Sequence, residues 1–361
     1  MDTGVDVIVS KGRFFCVDGR VYSGKRVLII AELGTSHGGD PHKARALIDA
    51  AAEAGADCVK FQIVYADEIL HPDTGEVPLP GGSIRLYDRF KHLETAPSFF
   101  GEMKAYAEAR GLLFLATPFG IRSARELRAL NPLLLKVASP ELNYTALLEE
   151  LASYKLPVLL SSGVSRLSDI EGALDILGRE RTCLLHCVTA YPAPEGDYNL
   201  RILGSLGAVF GLPLGVSDHS LDPVLIPALA TALGAVAVEK HLCLSRTEAG
   251  LDDPIALPPG DFKRMVEAVR SVSAGEGGAA VETLIRERGR ETVEAVLGDG
   301  VKRLAPSEAA NYERTNRSIH AIRDISPGEI LGPDNMAVLR TEKKLRPGLP
   351  PLWESRLYGR R

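Results

Sequence analysis

The chain has 361 residues, of which 45% are hydrophobic and 25% are charged, a composition typical of globular proteins that work in water. Its formal net charge of -5 argues against a nucleic-acid-binding protein, and no apolar stretch reaches membrane-spanning length. The N-terminus lacks a signal-peptide pattern, so we expect a cytoplasmic protein that binds neither nucleic acid nor membranes. Its five cysteines, an odd number, are expected to be reduced thiols without a structural zinc site.

Eight short apolar runs alternate with amphipathic stretches of helical period. The predicted strands are residues 27–33, 58–64, 112–117, 133–139, 158–162, 183–188, 214–219 and 235–241. A repeated strand–helix order indicates a parallel sheet with right-handed crossovers. Eight such units within this length predict an α/β fold of the (β/α)8 TIM-barrel type rather than an open doubly wound sheet.

The segments outside the predicted barrel suggest four parts. They are an N-terminal extension (1–26), the barrel (27–273), a helical linker (274–315) and a small β-rich domain (316–361). Residues 66–96, rich in proline and glycine, are predicted to be a lid over the barrel mouth, with a disordered surface insertion as the alternative. The small domain is too short to bury much core by itself, so it is expected to dock on another surface, in this chain or in a neighbour.

Polar or small residues end nearly every predicted strand, and they recur around the whole barrel. Because ligands bind at the carboxyl-terminal rim of such barrels, these side chains are candidates for a site. Two of them, His219 and His241, end neighbouring strands, where a pair of imidazoles can hold a divalent metal. Strand alternation places Ser217 on the face of His219, and Glu239 on the face of His241. A hydrogen-bonded structural role is the alternative for either histidine alone.

Two lysines, Lys60 and Lys136, lie at the ends of apolar strands. An unpaired ammonium is costly to bury, so each is expected to face an anion. Their position on separate strands at one rim favours an anionic ligand, and internal ion pairs with Glu32 or Glu239 are the alternative. Hydroxyl contacts to that ligand are expected from Thr117, Ser139 and Ser217.

Eight segments follow one another in a distinctive order. They are residues 30–40 (IAELGTSHGGD), 54–62 (AGADCVKFQ), 116–119 (ATPF), 136–141 (KVASPE), 160–163 (LSSG), 185–192 (LHCVTAYP), 215–219 (GVSDH) and 238–242 (VEKHL). The ordered set resembles the sialic acid synthases, the NeuB family, including its SpsE-like members of spore coat polysaccharide synthesis. The likeness runs from about residue 27 to the end, where Arg317-Ser318 opens a tail similar to the SAF (antifreeze-like) domain.

This resemblance implies an enzyme that condenses phosphoenolpyruvate with an N-acylated hexosamine, such as N-acetylmannosamine. The products are a nine-carbon 2-keto sugar acid and phosphate. It further implies a TIM barrel that needs Mn²⁺ or Mg²⁺, and a domain-swapped homodimer in which each tail caps the partner's barrel. The resemblance does not separate a neuraminate synthase from a legionaminate, pseudaminate or spore-coat sugar synthase. A non-catalytic sugar-binding barrel and a metal-dependent hydrolase are the alternatives outside this group.

The resemblance also assigns roles to individual residues. The expected catalytic residues are Glu32, Glu239 and Lys60, with Glu32 beside the metal, where it can activate water. Phosphoenolpyruvate is expected to contact Lys60, Thr117, Lys136, Ser139, Thr189 and Ser217. The expected sugar-binding residues are Glu141, Tyr191, Asp252 and Arg317, the last of these supplied by the partner subunit. The expected metal ligands are His219 and His241.

Three positions depart from the family pattern. Ser36 stands where many relatives have asparagine, and Leu251 replaces the proline of a Gly-Pro-Asp motif next to Asp252. The tail also stops at Arg361, earlier than in many relatives. None of these departures touches the two histidines or the two lysines, so we expect the core chemistry to be retained.

Overall fold

A computed structural model describes residues 14–79, 82–248, 250–342 and 344–361. The strands are β1 (Phe15–Val17), β2 (Arg20–Tyr22), β3 (Leu28–Gly34), β4 (Cys58–Ile63), β5 (Glu76–Leu79), β6 (Gly82–Arg85), β7 (Leu113–Pro118), β8 (Leu135–Val137), β9 (Val158–Ser161), β10 (Thr182–Cys187), β11 (Leu214–Asp218), β12 (Ala237–His241), β13 (Arg317–Ala321) and β14 (Met336–Arg340). The helices are α1 (Pro41–Ala54), α2 (Ala66–Ile69), α3 (Leu86–Lys91), α4 (Pro97–Ala109), α5 (Ile121–Ala129), α6 (Thr145–Ser153), α7 (Leu167–Leu177), α8 (Ile202–Phe210), α9 (Leu225–Ala232), α10 (Pro259–Ala274), α11 (Gly277–Arg288), α12 (Arg290–Leu297) and α13 (Glu354–Leu357).

Eight parallel strands form one sheet, in the order β7-β4-β3-β12-β11-β10-β9-β8. The two strands at the ends of this order, β7 and β8, contact each other, so the sheet is a nearly closed barrel. Each of its strands lies within two residues of a predicted apolar run. The prediction of an eight-stranded α/β barrel of the TIM type is therefore confirmed. Among the helices of the described residues, none combines the length and the apolarity needed to cross a bilayer.

Alternation along the strands gives the barrel an apolar floor and a polar rim. Leu28 and Ile30 of β3 and Leu115 of β7 point into the floor, where they pack with one another. Two residues further along these strands, the same face carries Glu32 and Thr117. One set of inward positions therefore builds both the core and the site above it.

A hairpin closes the amino-terminal end of the barrel. Strands β1 and β2 pair antiparallel, and Phe15, Val17 and Tyr22 bury their side chains in the barrel floor. Half of the predicted N-terminal extension, residues 1–13, lies outside the described residues. Within the barrel wall, a Cβ on Gly215 would lie 2.5 Å from the Ala237 carbonyl oxygen, so only glycine fits there.

The helices cover the outer face of the barrel with their apolar sides. Helix α1 begins after Asp40, whose side chain accepts a hydrogen bond from the His42 amide, and it ends at Gly55 in the left-handed conformation. Its buried residues, Leu47 and Ile48 among them, join the large cluster between helices and sheet. This packing holds the strand ends in fixed positions.

The proline-rich segment after β4 is folded in its described part. It contains α2, the β5–β6 hairpin and α3, and Ile69 and Leu70 pack against Val64 and Phe119 at the rim. A disordered insertion is therefore the wrong interpretation of the described part of this segment. Pro80 and Gly81 lie outside the described residues.

The linker is helical only in its first half. Helices α11 and α12 extend to Leu297, whereas residues 298–308 contain no helix, contrary to the prediction of a helical linker to residue 315. The following tail contains the antiparallel pair of β13 and β14, as the β-rich prediction requires.

In this structure the tail lies over its own barrel. A bridge pairs Leu70 with Arg340, and Tyr144 packs against the small apolar cluster of the tail. A single chain can place its tail only on its own barrel, so the expected exchange of tails between two subunits stays a prediction.

Candidate active site

A cavity of about 260 Å³ opens at the carboxyl-terminal rim of the barrel. Most of the predicted site residues line it: Glu32, Lys60, Thr117, Lys136, Ser139, Thr189, Tyr191, Ser217, His219, Glu239, His241 and Asp252. Glu141 and Arg317 do not line it. The strand alternation thus brings the predicted catalytic, anion-binding and metal-binding side chains to one place.

Lys60 lies between two carboxylates on the cavity wall. Its Nζ is 3.0 Å from Glu239 Oε1 and 3.3 Å from Glu32 Oε2, and all three side chains are almost completely buried. The register of the sheet explains the contact with Glu32, because Glu32 and Lys60 are paired residues of β3 and β4. The alternative of internal ion pairs is therefore realised for Lys60, within a cavity that still exposes it to a ligand.

Lys136 is paired less closely. Its Nζ donates to Ser161 Oγ at 2.7 Å and to the Val137 carbonyl oxygen, whereas Glu239 Oε1 is 3.8 Å away. Burial lowers the pKa of Lys136 to about 8, and attraction to Glu239 only partly offsets it. A bound anion would supply the close negative charge that this ammonium lacks.

The two carboxylates differ in their affinity for a proton. Burial raises the pKa of Glu32 to about 7, because the charge of Lys60 only partly compensates for it. Burial acts in the same direction on Glu239, but Lys136 and Lys60 outweigh it and hold that pKa at about 2. Glu239 therefore stays ionised, whereas Glu32 can gain or lose a proton near neutral pH.

Hydroxyl groups without partners face the same cavity. Thr117 Oγ1 and Thr189 Oγ1 are buried, and neither makes a hydrogen bond to any described residue. The third hydroxyl, Ser139 Oγ, accepts a hydrogen bond from the Gly163 amide at 3.0 Å. Since unpaired buried hydroxyls are costly, these groups are suited to a ligand with many oxygen atoms.

His219 and His241 lie side by side, with their ring centroids 5.6 Å apart. His219 Nδ1 lies 2.8 Å from the Val188 carbonyl oxygen, which can only accept a hydrogen bond, so the lone pair of the neutral ring lies on Nε2. A hydrogen bond from the other ring nitrogen to a backbone carbonyl is the usual support of a metal-binding histidine. The two rings therefore fit a divalent metal.

The two histidines alone do not complete the coordination shell of a metal. Within the described residues, no group of three or more His, Cys, Asp or Glu side chains is placed to hold a metal. Two imidazoles would leave positions for water and substrate. Burial lowers the pKa of His219 but the adjacent Cys187 raises it to about 9, so metal binding to this ring releases a proton.

A buried network behind the barrel wall fixes the backbone of His219. Tyr198 Oη accepts a hydrogen bond from the His219 amide at 2.7 Å and donates one to Asp218 Oδ1 at 2.7 Å. Asp218 in turn pairs with Lys240 at 2.5 Å. Asp218 and Lys240 alternate with the inward-facing residues, so they serve the site from the outer face of the sheet.

Two predicted sugar-binding residues lie beside the histidines. The ring of Tyr191 stacks on His219, with 4.3 Å between centroids. Asp252 Oδ2 is 3.9 Å from His241 Nδ1. Both side chains line the same cavity.

Glu141 and Arg317 instead join the barrel to the tail. Glu141 Oε1 accepts hydrogen bonds from Arg317 Nε at 3.1 Å and from Arg340 Nη2 at 2.7 Å. The Arg317 guanidinium also donates to the carbonyl oxygens of Glu68 and Phe119. With its donors used in this way, Arg317 does not reach the cavity of its own chain, and its contact with the sugar of the partner subunit stays a prediction.

Comparison with known proteins identifies the family of this chain. The sequence pattern of the NeuB family matches residues 47–280. This chain belongs to the NeuB family. The spore coat polysaccharide biosynthesis protein SpsE of Bacillus subtilis is 33% identical over 330 residues, which cover 90% of this chain and 86% of SpsE. The crystal structure of SpsE aligns with a TM-score of 0.79 at 31% identity, over 96% of this chain and 93% of that chain.

Other NeuB relatives are sugar acid synthases. The N,N'-diacetyllegionaminic acid synthase of Campylobacter jejuni is 31% identical over 88% of this chain and 91% of its own length. The N-acetylneuraminic acid synthetase of Leptospira borgpetersenii, solved with citrate, has a TM-score of 0.65 at 30% identity, over 83% of this chain and 95% of that chain. This chain is thus a NeuB-family enzyme of sugar acid synthesis.

Several cavity residues of this NeuB-family chain were not predicted as site residues. They are Gln62, Phe90, Phe119, Ala138, Pro140, Ser161, Cys187, Leu251, Thr315 and Arg340. Strand alternation could have found Gln62, two residues after Lys60, whose Nε2 donates to Glu32 Oε1 at 2.7 Å. It could also have found Cys187, two residues after the inward Leu185. No local signal marks Arg340, which reaches the cavity only because the tail folds back.

Proposed function

We propose that the protein condenses phosphoenolpyruvate with the aldehyde form of an N-acylated hexosamine, such as N-acetylmannosamine. The products are a nine-carbon 2-keto sugar acid and inorganic phosphate. The observation that carries the proposal is the cavity itself, in which two buried lysines and unpaired hydroxyls lie next to two histidines. Sugar binding alone, or hydrolysis, would not explain why two buried lysines face this cavity.

In the proposed reaction, the lysines and hydroxyls hold the enol ester. Lys60 and Lys136 would attract its carboxylate and phosphate, while Ser139, Thr117, Thr189 and Ser217 add hydrogen bonds to their oxygens. C3 of the enolpyruvate forms a bond to the sugar aldehyde carbon. One water adds at C2, and phosphate leaves with cleavage of the C2–O bond, so the atoms balance.

Glu32 is the proposed proton carrier. Its pKa of about 7 lets it give a proton to the oxygen of the former aldehyde, or take one from the incoming water, near neutral pH. Glu239 stays ionised and holds Lys60 in place through the 3.0 Å contact. Asp252 and Tyr191 are proposed to contact the sugar.

The proposed cofactor is Mn²⁺ or Mg²⁺, bound by His219 and His241. When bound, such an ion would polarise the aldehyde oxygen as a Lewis acid. The protein's own contribution is to orient the His219 ring through the Val188 carbonyl oxygen and to fix the His219 backbone through the buried Tyr198–Asp218 pair.

Assembly and location follow from the same proposal. We propose a homodimer whose C-terminal segments are SAF-like domains, with each tail exchanged so that it covers the barrel of the partner subunit. We also propose a cytoplasmic location, where phosphoenolpyruvate is formed and where four buried free cysteines remain reduced.

A substrate panel tests the proposed function. The purified protein is incubated with phosphoenolpyruvate, Mn²⁺ or Mg²⁺ and single N-acylated hexosamines, including precursors of neuraminate, legionaminate and pseudaminate. We expect phosphate release with at least one sugar and a product whose mass equals the sugar plus the pyruvate unit. Phosphate release without a condensed product would indicate a hydrolase. No release with any sugar would indicate a binding protein.

A further inference from the structure

The part of the linker that follows α12 is bound to the cavity wall. We call residues 298–316 the rim segment. It crosses the loops that follow β9 and β10, and side chains along it bind the backbone of these loops. Lys302 Nζ donates to the Ser162 carbonyl oxygen at 3.1 Å, and Asn311 Nδ2 donates to the Thr189 carbonyl oxygen at 3.3 Å.

Glu308 is the central contact of the rim segment. Only 1% of its surface is exposed, and its Oε2 accepts hydrogen bonds from the Val164 amide at 3.0 Å and from the Thr189 amide at 2.8 Å. Its Oε1 accepts a third, from the Ala305 amide at 3.2 Å. One carboxylate oxygen therefore joins the loop after β9 to the loop after β10.

The carbonyl oxygens of Val164 and Thr189 also accept hydrogen bonds from the rim segment. Asn316 Nδ2 donates to the Val164 carbonyl oxygen at 3.1 Å, just as Asn311 does for Thr189. Val164 has a φ of 40°, a backbone conformation that a β-branched residue rarely adopts. Such strain persists only where the surroundings enforce it, and here the rim segment does so.

The two loops approach each other with no spare room at the wall of the cavity. A Cβ on Gly163 would lie only 2.1 Å from Thr189 Oγ1 and 3.0 Å from Ser139 Oγ. The unpaired Thr189 hydroxyl faces the cavity from this point of contact. Its direction therefore depends on how the two loop backbones are fixed relative to each other.

We infer that Glu308 is a positioning residue for phosphoenolpyruvate, acting through Thr189 and the loop at Gly163 and Val164. The inference rests on the proposed function and adds to it a residue outside the cavity. Glu308 does not touch the ligand. It sets the direction of the Thr189 hydroxyl, which is one of the groups available to the phosphate or carboxylate oxygens.

The test compares Glu308→Ala and Glu308→Gln with the wild-type protein. Glutamine can keep its oxygen in the place of Oε2 and accept hydrogen bonds from both loop amides, whereas alanine leaves them unpaired.

The control is Asp57→Ala. Asp57 Oδ2 also accepts a backbone hydrogen bond, from the Ile29 amide at 2.8 Å, but at the opposite end of the barrel. Thermal unfolding is followed for each variant, and the dissociation constant for phosphoenolpyruvate is measured by calorimetry without sugar.

We expect Glu308→Ala to weaken phosphoenolpyruvate binding about tenfold, because a misplaced contact group of this kind costs one to two orders of magnitude. The KM for the sugar should stay within about twofold. Glu308→Gln should retain most of the affinity, and Asp57→Ala should lose thermal stability but not affinity. Unchanged affinity in Glu308→Ala would overturn the inference and leave the proposed function intact. If the wild-type protein neither binds nor converts phosphoenolpyruvate, both fail together.

Discussion

At the scale of single residues, burial and charge balance decide the chemistry of the rim. Two lysines and two glutamates share one cavity wall, and their charges cancel. Because the four groups are buried together, each one changes the protonation of the others. Lys136 has the less complete partnership of the two lysines, so its charge is the one that responds to alkaline pH, whereas Glu32 titrates near pH 7.

The titration of Lys136 therefore predicts how kcat/KM falls at alkaline pH. With a pKa of about 8, its ammonium is charged below pH 8 and neutral above it. An anionic substrate binds the charged form, so kcat/KM for phosphoenolpyruvate should fall through pH 8 and approach a loss of about tenfold per pH unit well above it. Steady-state kinetics over about three pH units around the pKa of Lys136 measure this fall in kcat/KM.

Two variants separate Lys136 from its neighbours. Lys136→Met should have a lower kcat/KM without the alkaline fall. Lys60→Arg should keep the fall, because the charge of Lys60 is secured by Glu239 and Glu32, which raise its pKa despite its burial. An unchanged alkaline fall in Lys136→Met would assign the titration to another group.

The histidine pair gives a second prediction at this scale. His219→Ala should abolish turnover and release metal, while the free energy of unfolding falls by only about 1 kcal/mol, the usual worth of one hydrogen bond. Metal content by atomic absorption and chemical denaturation measure the two effects. The control is His71→Gln, since His71 is a buried histidine that binds the Ala321 carbonyl oxygen away from the cavity. Full activity after exhaustive chelation would remove the metal from the proposed mechanism.

At the scale of elements, the loop after β9 must pass close to the loop after β10. Gly163→Ala would insert a methyl group 2.1 Å from Thr189 Oγ1, so the Thr189 side chain or the loop has to move. We expect phosphoenolpyruvate affinity to fall at least about tenfold, with a cooperative thermal transition retained. The matched control is Gly172→Ala in α7, where a methyl group would meet no atom within 4 Å. Equal losses of affinity in both variants would contradict the prediction.

The strand elements explain why much of the site was predictable. Strand alternation alone places Glu32, Lys60 and Glu239 on the inner face, since the apolar residues two positions earlier are fixed there by the barrel floor. The same rule places Asp218 and Lys240 on the outer face, where they support His219. Local sequence was sufficient wherever a strand determined the direction of the side chain.

Contacts between distant segments were not predictable in the same way. Glu308 binds the Val164 and Thr189 amides, 144 and 119 residues away in sequence, from a segment without regular structure. Arg317 was expected at the substrate, but its pairing with Glu141 depends on where the tail docks. Neither position carries a periodic pattern, so only the tertiary structure reveals what these charged side chains bind.

At the scale of the whole molecule, the path of the chain from barrel to tail determines which cavity the tail covers. The rim segment is bound to its own chain from its beginning, where Asn199 accepts a hydrogen bond from the Gly300 amide at 2.7 Å and donates one to the Val301 carbonyl oxygen. The contacts of Lys302, Glu308 and Asn316 continue to the first tail strand. In a homodimer with exchanged tails, the partner's barrel would offer the same contact groups to the rim segment and the tail.

We predict that the tails are exchanged in the homodimer, so that the tail of one chain completes the site of its partner. Two variants are co-expressed with different affinity tags, and the mixed oligomers are isolated. Lys60→Ala has an intact tail, and Arg317→Ala has an intact barrel but is expected to be inactive because it loses the Glu141 ion pair that holds the tail over the cavity. If each tail instead covered its own barrel, no mixed oligomer would contain an intact site, and activity at the level of the separate variants would contradict the prediction. In a wild-type and Lys60→Ala mixture, the wild-type chains should keep their full activity. We expect activity to recover in the double-variant mixture, since only exchange combines the intact Lys60 with the intact Arg317.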